Sequence, residues 1–277
     1  MDPVNTAGKM NLMQDDADIQ YSWFTKKFSA LAGLDLSHYK GQQMKRRIKS
    51  YMQAKGTDGY LDFIKLLEKN PVVVIDFKNF LTINVSYFFR DADKWDELRN
   101  KYIPQLYAQK KNMSVWSAGC SIGCEPYSFS IMFDEMRPKF PLLQCQIFAT
   151  DIDHAAMEQA KSGCYPQEQL KSLRPEIISK YFTMEPGKKY RVSGKILQNV
   201  KFATLNLHKD RFDGRFDIIA CRNVVIYFEE KVKLELYKKF HSALHPGGVL
   251  FLGGSEIIFQ SEALGFKNLS MCFYQKA

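Results

Sequence analysis

The sequence lacks any apolar stretch able to cross a bilayer. Its apolar runs, such as Val72-Val73-Val74-Ile75, fall far short of the roughly 20 residues a spanning helix needs. Met1 to Gln20 contains several Asp and no apolar core, so no signal peptide is expected. Six cysteines (120, 124, 145, 164, 221, 272) include no Cys-x-x-Cys pair and lie among apolar neighbours. That pattern argues against a secreted disulfide framework and for a reducing, intracellular setting. Acids are missing from one place in particular. Between His38 and Lys55 there are six Lys or Arg and no Asp or Glu, whereas ordinary surface helices mix signs.

What is present is ordinary globular material. The 277 residues are 45% hydrophobic and 25% charged, which excludes disorder and fibrous folds, and the formal charge is +9. A basic balance is compatible with nucleic acid, an anionic membrane surface or an acidic protein partner. Residues 1–20, polar and aperiodic, are expected to form a disordered tail. Helical spacing then predicts an all-α domain over 21–90, with helices near Gln42–Ala54 and Gly59–Leu67 and a further one from Pro71. A linker is expected over 91–111.

From 112 to 277 short apolar strands alternate with helices. The strands are expected at Ser114–Ala118, Cys145–Thr150, Val200–Leu205, Phe216–Cys221 and Val249–Gly253, with Ser270–Gln275 as a final edge strand. This alternation predicts an α/β doubly wound, mainly parallel sheet. Gly187 and Gly194 around Tyr190-Arg191-Val192 suggest a small β-hairpin inserted near 184–198.

In such sheets a nucleotide-like ligand sits at the first βα turn. Here that turn carries Gly119 and Gly123 and then Glu125-Pro126. It is neither Gly-x-Gly-x-x-Gly nor a P-loop, and the same glycines would also serve a tight turn without a ligand. At the end of the second strand, Asp151 is placed to accept ribose hydroxyls, and Asp153 to cap the helix from His154. Cys120 and Cys124 have no accompanying His cluster, and His241 and His245 share a helix end. No metal site is expected. Tyr87-Phe88-Phe89 is assigned mainly to the core.

Two more segments, Thr82-Ile83-Asn84-Val85-Ser86-Tyr87-Phe88-Phe89-Arg90-Asp91 and Cys221-Arg222-Asn223-Val224-Val225-Ile226-Tyr227-Phe228, make the reading specific. With Trp116–Ser128 and Ala149–Asp153 they resemble the chemotaxis receptor methyltransferase family (CheR type), in order and over nearly the whole chain beyond the tail. The resemblance implies a class I S-adenosylmethionine methyltransferase preceded by an all-α domain. Its activity would be glutamyl methyl-ester formation on the cytoplasmic helical bundle of chemoreceptors, releasing S-adenosylhomocysteine. It also implies that Asn84, Ser86, Arg90, Glu125, Asp151, Asn206, Leu207, Arg222 and Asn223 surround the cofactor, with Arg90 and Tyr227 as the catalytic pair. Many relatives carry Thr at the position of Ser86 and two consecutive Glu where this chain has Cys124-Glu125. Glu125 is therefore the expected partner of the cofactor's ammonium group.

Elementary chemistry agrees with an oxygen acceptor. A glutamate with a pKa of about 4.3 is already ionised at neutral pH and needs no general base. Alignment and exclusion of water are what the enzyme must supply. Arg90 can orient a carboxylate, and Arg222 is assigned to the pocket wall. The Asn/Asp-Pro-Pro-Tyr loop of amine methyltransferases is absent.

Wound as a helix, the basic segment turns Met44, Ile48, Tyr51 and Met52 to one side and Arg46 and Lys49 to the other, with Lys45 and Arg47 flanking. The resemblance implies that Lys45, Arg46 and Lys49 dock on acidic receptor segments. The protein is thus expected to be cytoplasmic, recruited to membrane receptor arrays without inserting in the bilayer. It is expected to be monomeric by default, with no nucleic-acid partner. The alternatives are an RNA or small-molecule methyltransferase on the same fold, or a non-enzymatic adaptor.

Overall fold

A computed structural model describes residues 4–81, 86–212 and 214–277, with side chains described from Asp18 onward. The chain divides into two units: Met1–Ile83 with Tyr227–Glu229, and Asn84–Ile226 with Glu230–Ala277.

The first unit is helical: α1 Val4–Ala32, α2 Gly41–Ala54, α3 Tyr60–Lys69 and α4 Pro71–Leu81. Spacing of apolar residues explains each face. Met44, Ile48, Tyr51 and Met52 of α2 are buried, as are Phe63, Ile64 and Leu67 of α3 and Phe77 and Leu81 of α4. Pro71 opens α4, where its missing N–H costs nothing. The centre is aromatic: Phe63 meets Phe77 edge-on at 4.8 Å, and Phe28 meets Phe77 at 5.0 Å. Each such ring contributes about 1.5–3 kcal/mol by burial.

One expectation is corrected here. Helix α1 begins at Val4, so backbone expected to be a disordered tail is helical. Residues 9–20 contain no Gly or Pro to stop a helix, and the segment runs straight into the turns fixed by the buried Phe24 and Phe28. The short stretch Tyr227–Glu229 closes this unit. The Lys40 N–H donates to the Tyr227 carbonyl (2.9 Å), the Glu229 N–H donates to the His38 carbonyl (3.0 Å), and the rings of Tyr39 and Phe228 lie 5.1 Å apart.

The second unit opens with α5 Ala92–Glu97 and α6 Ile103–Gln109, joined by a π-helical turn over Leu98–Tyr102. The expected linker is thus folded structure. Trp95, Leu98, Tyr102 and Ile103 recur on one face and are buried in this unit's core, and the surrounding charges hide that period in the sequence. There follow β1 Asn112–Ala118, α7 Cys124–Met136, β2 Gln144–Asp151, α8 His154–Ser162 and β3 Cys164–Pro166. Then come α9 Pro175–Tyr181, β4 Phe182–Glu185, β5 Lys189–Val192, α10 Gly194–Leu197 and β6 Val200–Thr204. The unit ends with β7 Phe216–Cys221, α11 Glu230–Ala243, β8 Leu244–Leu252, β9 Phe266–Ser270 and β10 Phe273–Lys276.

Seven strands form one sheet in the order β6-β2-β1-β7-β8-β10-β9. The first five are parallel, and β10 runs antiparallel to both neighbours. The doubly wound expectation holds. The last strand differs from expectation: Ser270–Gln275 spans two strands, and β10 is interior while β9 forms the edge. The turn between them uses Cys272 at φ 80, a residue type that carries no turn signal. The insert is also larger than a hairpin, since β3 joins β4 and β5 in a three-stranded antiparallel sheet.

Strand order reverses between β1 and β7. In open α/β sheets the ligand crevice lies at that switch point, outside the C-terminal strand ends. The loops that follow β1, β2, β6 and β7 lie at those C-terminal strand ends.

Candidate functional site

The loop after β1 is tied to β2: the N–H groups of Gly119 and Cys120 both donate to the Thr150 carbonyl, at 2.8 and 2.9 Å. Gly119 has φ +81, and a Cβ there would lie 2.6 Å from Val224 Cγ2, so only glycine fits. Ser121, at φ 50, donates its N–H to Asp151 Oδ2 (2.7 Å), while Asp151 Oδ1 accepts from the Asp153 N–H (2.9 Å). Burial pushes the Asp151 carboxyl up, partly offset by these N–H groups. Asp153 is the N-cap of α8, accepting from Ala155 and Ala156 at 2.9 and 3.1 Å. Asp153 thus caps the helix as expected, while Asp151 is turned to the loop.

Glu125, in the first turn of α7, receives the Ser117 hydroxyl at 2.6 Å and lies 3.6 Å from Arg222 Nη1. Burial raises its pKa against the pull of the Arg222 charge and the Ser117 hydrogen bond. Arg222 connects several parts. Its Nη2 donates to the Arg90 carbonyl and to Asp91 Oδ2, each at 2.7 Å, and its guanidinium stacks over the Phe251 ring at 4.5 Å.

Arg90 lies between two residues in the left-handed region, Phe89 (φ 49) and Asp91 (φ 58). Non-glycine residues held there cost of order 1–3 kcal/mol each and persist only when their surroundings over-determine them. Here the Phe89 N–H donates to Ser128 Oγ (2.9 Å), Ser172 Oγ donates to the Phe88 carbonyl (2.7 Å), and Trp95 Nε1 donates to the Arg90 carbonyl (2.9 Å). Phe88 is fully buried, Phe89 packs edge-on against Trp95, and Tyr87 is exposed. The Ser86 carbonyl faces Cys124 Sγ at 3.7 Å. Asn84 lies outside the described residues.

Asn206 and Leu207 follow β6. Asn206 Oδ1 is engaged in its own turn, accepting from His208 and Lys209, while Lys239 caps the carbonyls of Leu207, His208 and Asp210. Asn223 follows β7 at φ 59. Tyr227 belongs with the helical unit described above. In α2, Lys45 pairs with Asp18 and lies over the Tyr21 ring at 4.9 Å, whereas Arg46 and Lys49 are exposed. Cys120 and Cys124 are buried, and burial pushes both thiols up, Cys124 to about 12.

Sequence reasoning missed Glu256. It is 3% exposed, and its carboxylate accepts from the N–H groups of Gly253 (2.7 Å), Asn223 (2.9 Å), Val224 (2.9 Å) and Ile226 (3.3 Å). The readable signal was a carboxylate placed after Gly253-Gly254-Ser255, just beyond the end of β8 and directly before apolar Ile257-Ile258.

The donor set fits S-adenosylmethionine. Asp151 offers remaining lone pairs to ribose hydroxyls, and Glu125 offers an anion to an ammonium. Two buried polar atoms here, Asn223 Oδ1 and Arg222 Nε, have no hydrogen-bond partner among the described residues. Buried polar groups are normally satisfied, so these two suit a polar ligand.

Comparison with known proteins gives the same answer. Residues 84–274 match the family model for the CheR methyltransferase, SAM binding domain, and residues 19–82 match that for the CheR methyltransferase, all-alpha domain. The chain is 37% identical over 265 residues to a chemotaxis protein methyltransferase of Listeria monocytogenes, covering 95% of this chain and 100% of that protein. It is 34% identical to one from Borreliella burgdorferi (82% and 83% covered) and 33% to one from Salmonella typhimurium (81% and 79% covered). With the reversal point of the sheet, the carboxylates around it and both domain matches in hand, the chain belongs to the CheR methyltransferase family and is an S-adenosylmethionine-dependent methyltransferase of the chemotaxis type.

Proposed function

We propose that the protein transfers the methyl group of S-adenosylmethionine to glutamate side chains on the cytoplasmic helical bundle of chemoreceptors, forming glutamyl methyl esters in sensory adaptation. The observation that carries this reading is the way Arg90 is held. Its carbonyl receives both Trp95 Nε1 and Arg222 Nη2, between two left-handed residues. Such an investment in one backbone position suits a guanidinium that must orient an anionic acceptor.

In this reading Asp151 holds the ribose and Glu125 the ammonium, with Ser86, Asn206, Leu207, Arg222 and Asn223 shaping the rest of the cofactor site. Asn84 is assigned there by motif alone. The bound cofactor supplies an electrophilic methyl on a sulfonium. Arg90 aligns the acceptor oxygen, and Tyr227 is assigned the second catalytic role by motif alone. No residue need remove a proton, because the acceptor is already ionised. The protein acts in the cytoplasm at receptor arrays, as a monomer. The exposed Arg46 and Lys49 of α2, with Lys45 beside them, meet acidic receptor surface.

The test is incubation with methyl-labelled S-adenosylmethionine and receptor membranes, followed by alkali. Methyl esters release volatile labelled methanol, and Arg90→Ala should cut that release by on the order of a hundredfold. Label that resists alkali would mean a nitrogen acceptor and overturn the reading.

A further inference from the structure

We propose that Glu256 is a positioning residue for methyl transfer: its buried carboxylate clamps the loop after β7 and holds Asn223 in its left-handed conformation. The inference rests on the function proposed above. It starts from an otherwise expensive arrangement. A carboxylate 3% exposed carries a large desolvation cost, and among the described residues no cation pairs with it. Its charge is met instead by backbone N–H groups from two loops. Gly253 belongs to the loop after β8, while Asn223, Val224 and Ile226 belong to the loop after β7. Charge-assisted bonds of this kind are among the stronger ones.

The geometry leaves little slack. A Cβ at Gly253 would lie 2.8 Å from Glu256 Oε2 and 3.0 Å from the Asn223 nitrogen, so glycine is what lets the carboxylate reach across. On the other side Val224 is packed against Gly119 of the cofactor turn. The loop is therefore held from two directions, by the first βα turn and by Glu256. Asn223, whose Oδ1 is buried and unpartnered among the described residues, is the residue so aimed. A neutral amide cannot replace this anion. Gln at 256 keeps the shape but turns an N–H₂ toward some of the four donors, leaving them unpaired.

The test uses Glu256→Gln and, from the other side of the same bond, Gly253→Ala. Amide exchange across residues 222–227 should speed up by about tenfold or more in both, while exchange across 151–156 stays as in the wild type. At saturating S-adenosylmethionine, turnover per titrated active site should fall by about tenfold or more. S-adenosylhomocysteine affinity should change less than turnover. The double variant should be no worse than the poorer single one, because both break one clamp. Glu256→Asp, which keeps the anion, should recover part of the turnover.

Wild-type turnover per active site in both single variants, or unchanged exchange across 222–227, would overturn the proposal and leave Glu256 a packing residue only. If the wild type itself releases no methanol from receptor membranes, the glutamate reading fails instead. The exchange experiment would still decide for or against the clamp.

Discussion

Replacing Asp151 by Ala separates the cofactor contact from the scaffold around it, provided that two ligands are compared. The structure shows that both carboxylate oxygens already serve the fold, Oδ2 receiving Ser121 and Oδ1 receiving Asp153. Losing this acceptor leaves two N–H groups unpaired, that of half-buried Ser121 and that of buried Asp153, and should destabilise the unliganded protein by about 1–3 kcal/mol. Each oxygen retains a lone pair for one ribose hydroxyl. Hydrogen bonds to a charged group contribute about 1.5–3 kcal/mol each when fully formed. Allowing for solvent reaching the hydroxyls in the variant, the net loss for the pair is about 1–3 kcal/mol, or about 5- to 150-fold in affinity. The assay is calorimetric titration with S-adenosylhomocysteine and with an analogue lacking both ribose hydroxyls, on wild type and Asp151→Ala. Loop damage weakens both ligands alike, whereas a lost ribose contact weakens only the first. Wild type should therefore discriminate between the ligands by that factor, and the variant hardly at all. Undiminished discrimination by Asp151→Ala would refute the ribose assignment whatever happens to stability.

Four further outcomes are expected. Gly119→Ala meets both a left-handed φ and the 2.6 Å approach to Val224; it should weaken S-adenosylhomocysteine by about tenfold or more, and Val224→Ala should restore only the part due to the clash. Gly56→Ala, at φ +69 with open space around it, should lower thermal stability slightly and leave cofactor binding alone. Glu125 has its pKa raised by burial, and its ionised form is the one that holds an ammonium. Affinity titrated against pH should therefore fall on acidification, starting above the ordinary carboxylate value of about 4.3, whereas in Glu125→Gln it should be lower and depend less on pH through that range. Arg46→Glu with Lys49→Glu reverses the exposed charge of α2 and should slow receptor methylation strongly at low salt without moving S-adenosylhomocysteine affinity. Equal rates for wild type and double variant would reduce this face to solvated surface.

What could be read from the sequence was whatever a short period or a single residue type determines. β7 was legible to the residue because all six positions are buried and five of them are apolar, Asp217 being the exception. Asp153 was legible as a cap because one oxygen and two nearby N–H groups define that role. The segment over 91–111 was not, since its buried stripe is interleaved with charges and interrupted by a π-helical turn. The β9–β10 turn was hidden because Cys272 adopts a positive φ without being Gly, Asn or Asp. Glu256 was hidden for a different reason. Three of its four partners are backbone groups 30–33 residues away, and backbone N–H groups leave no trace in a sequence.

The three carboxylates at this edge of the sheet show how one side-chain chemistry takes separate tasks from its partners. All three have pKa values raised by burial, so burial does not distinguish them. Glu256 directs its charge to backbone N–H groups of two loops, which makes it a structural anion. Glu125 shares its charge with Ser117 and Arg222, and Arg222 in turn holds the Arg90 carbonyl. A change at Glu125 therefore propagates to the segment that presents Arg90. Asp151 meets the Ser121 N–H on one oxygen and the Asp153 N–H on the other, and the Ile152 N–H adds to the stabilisation of the same charge.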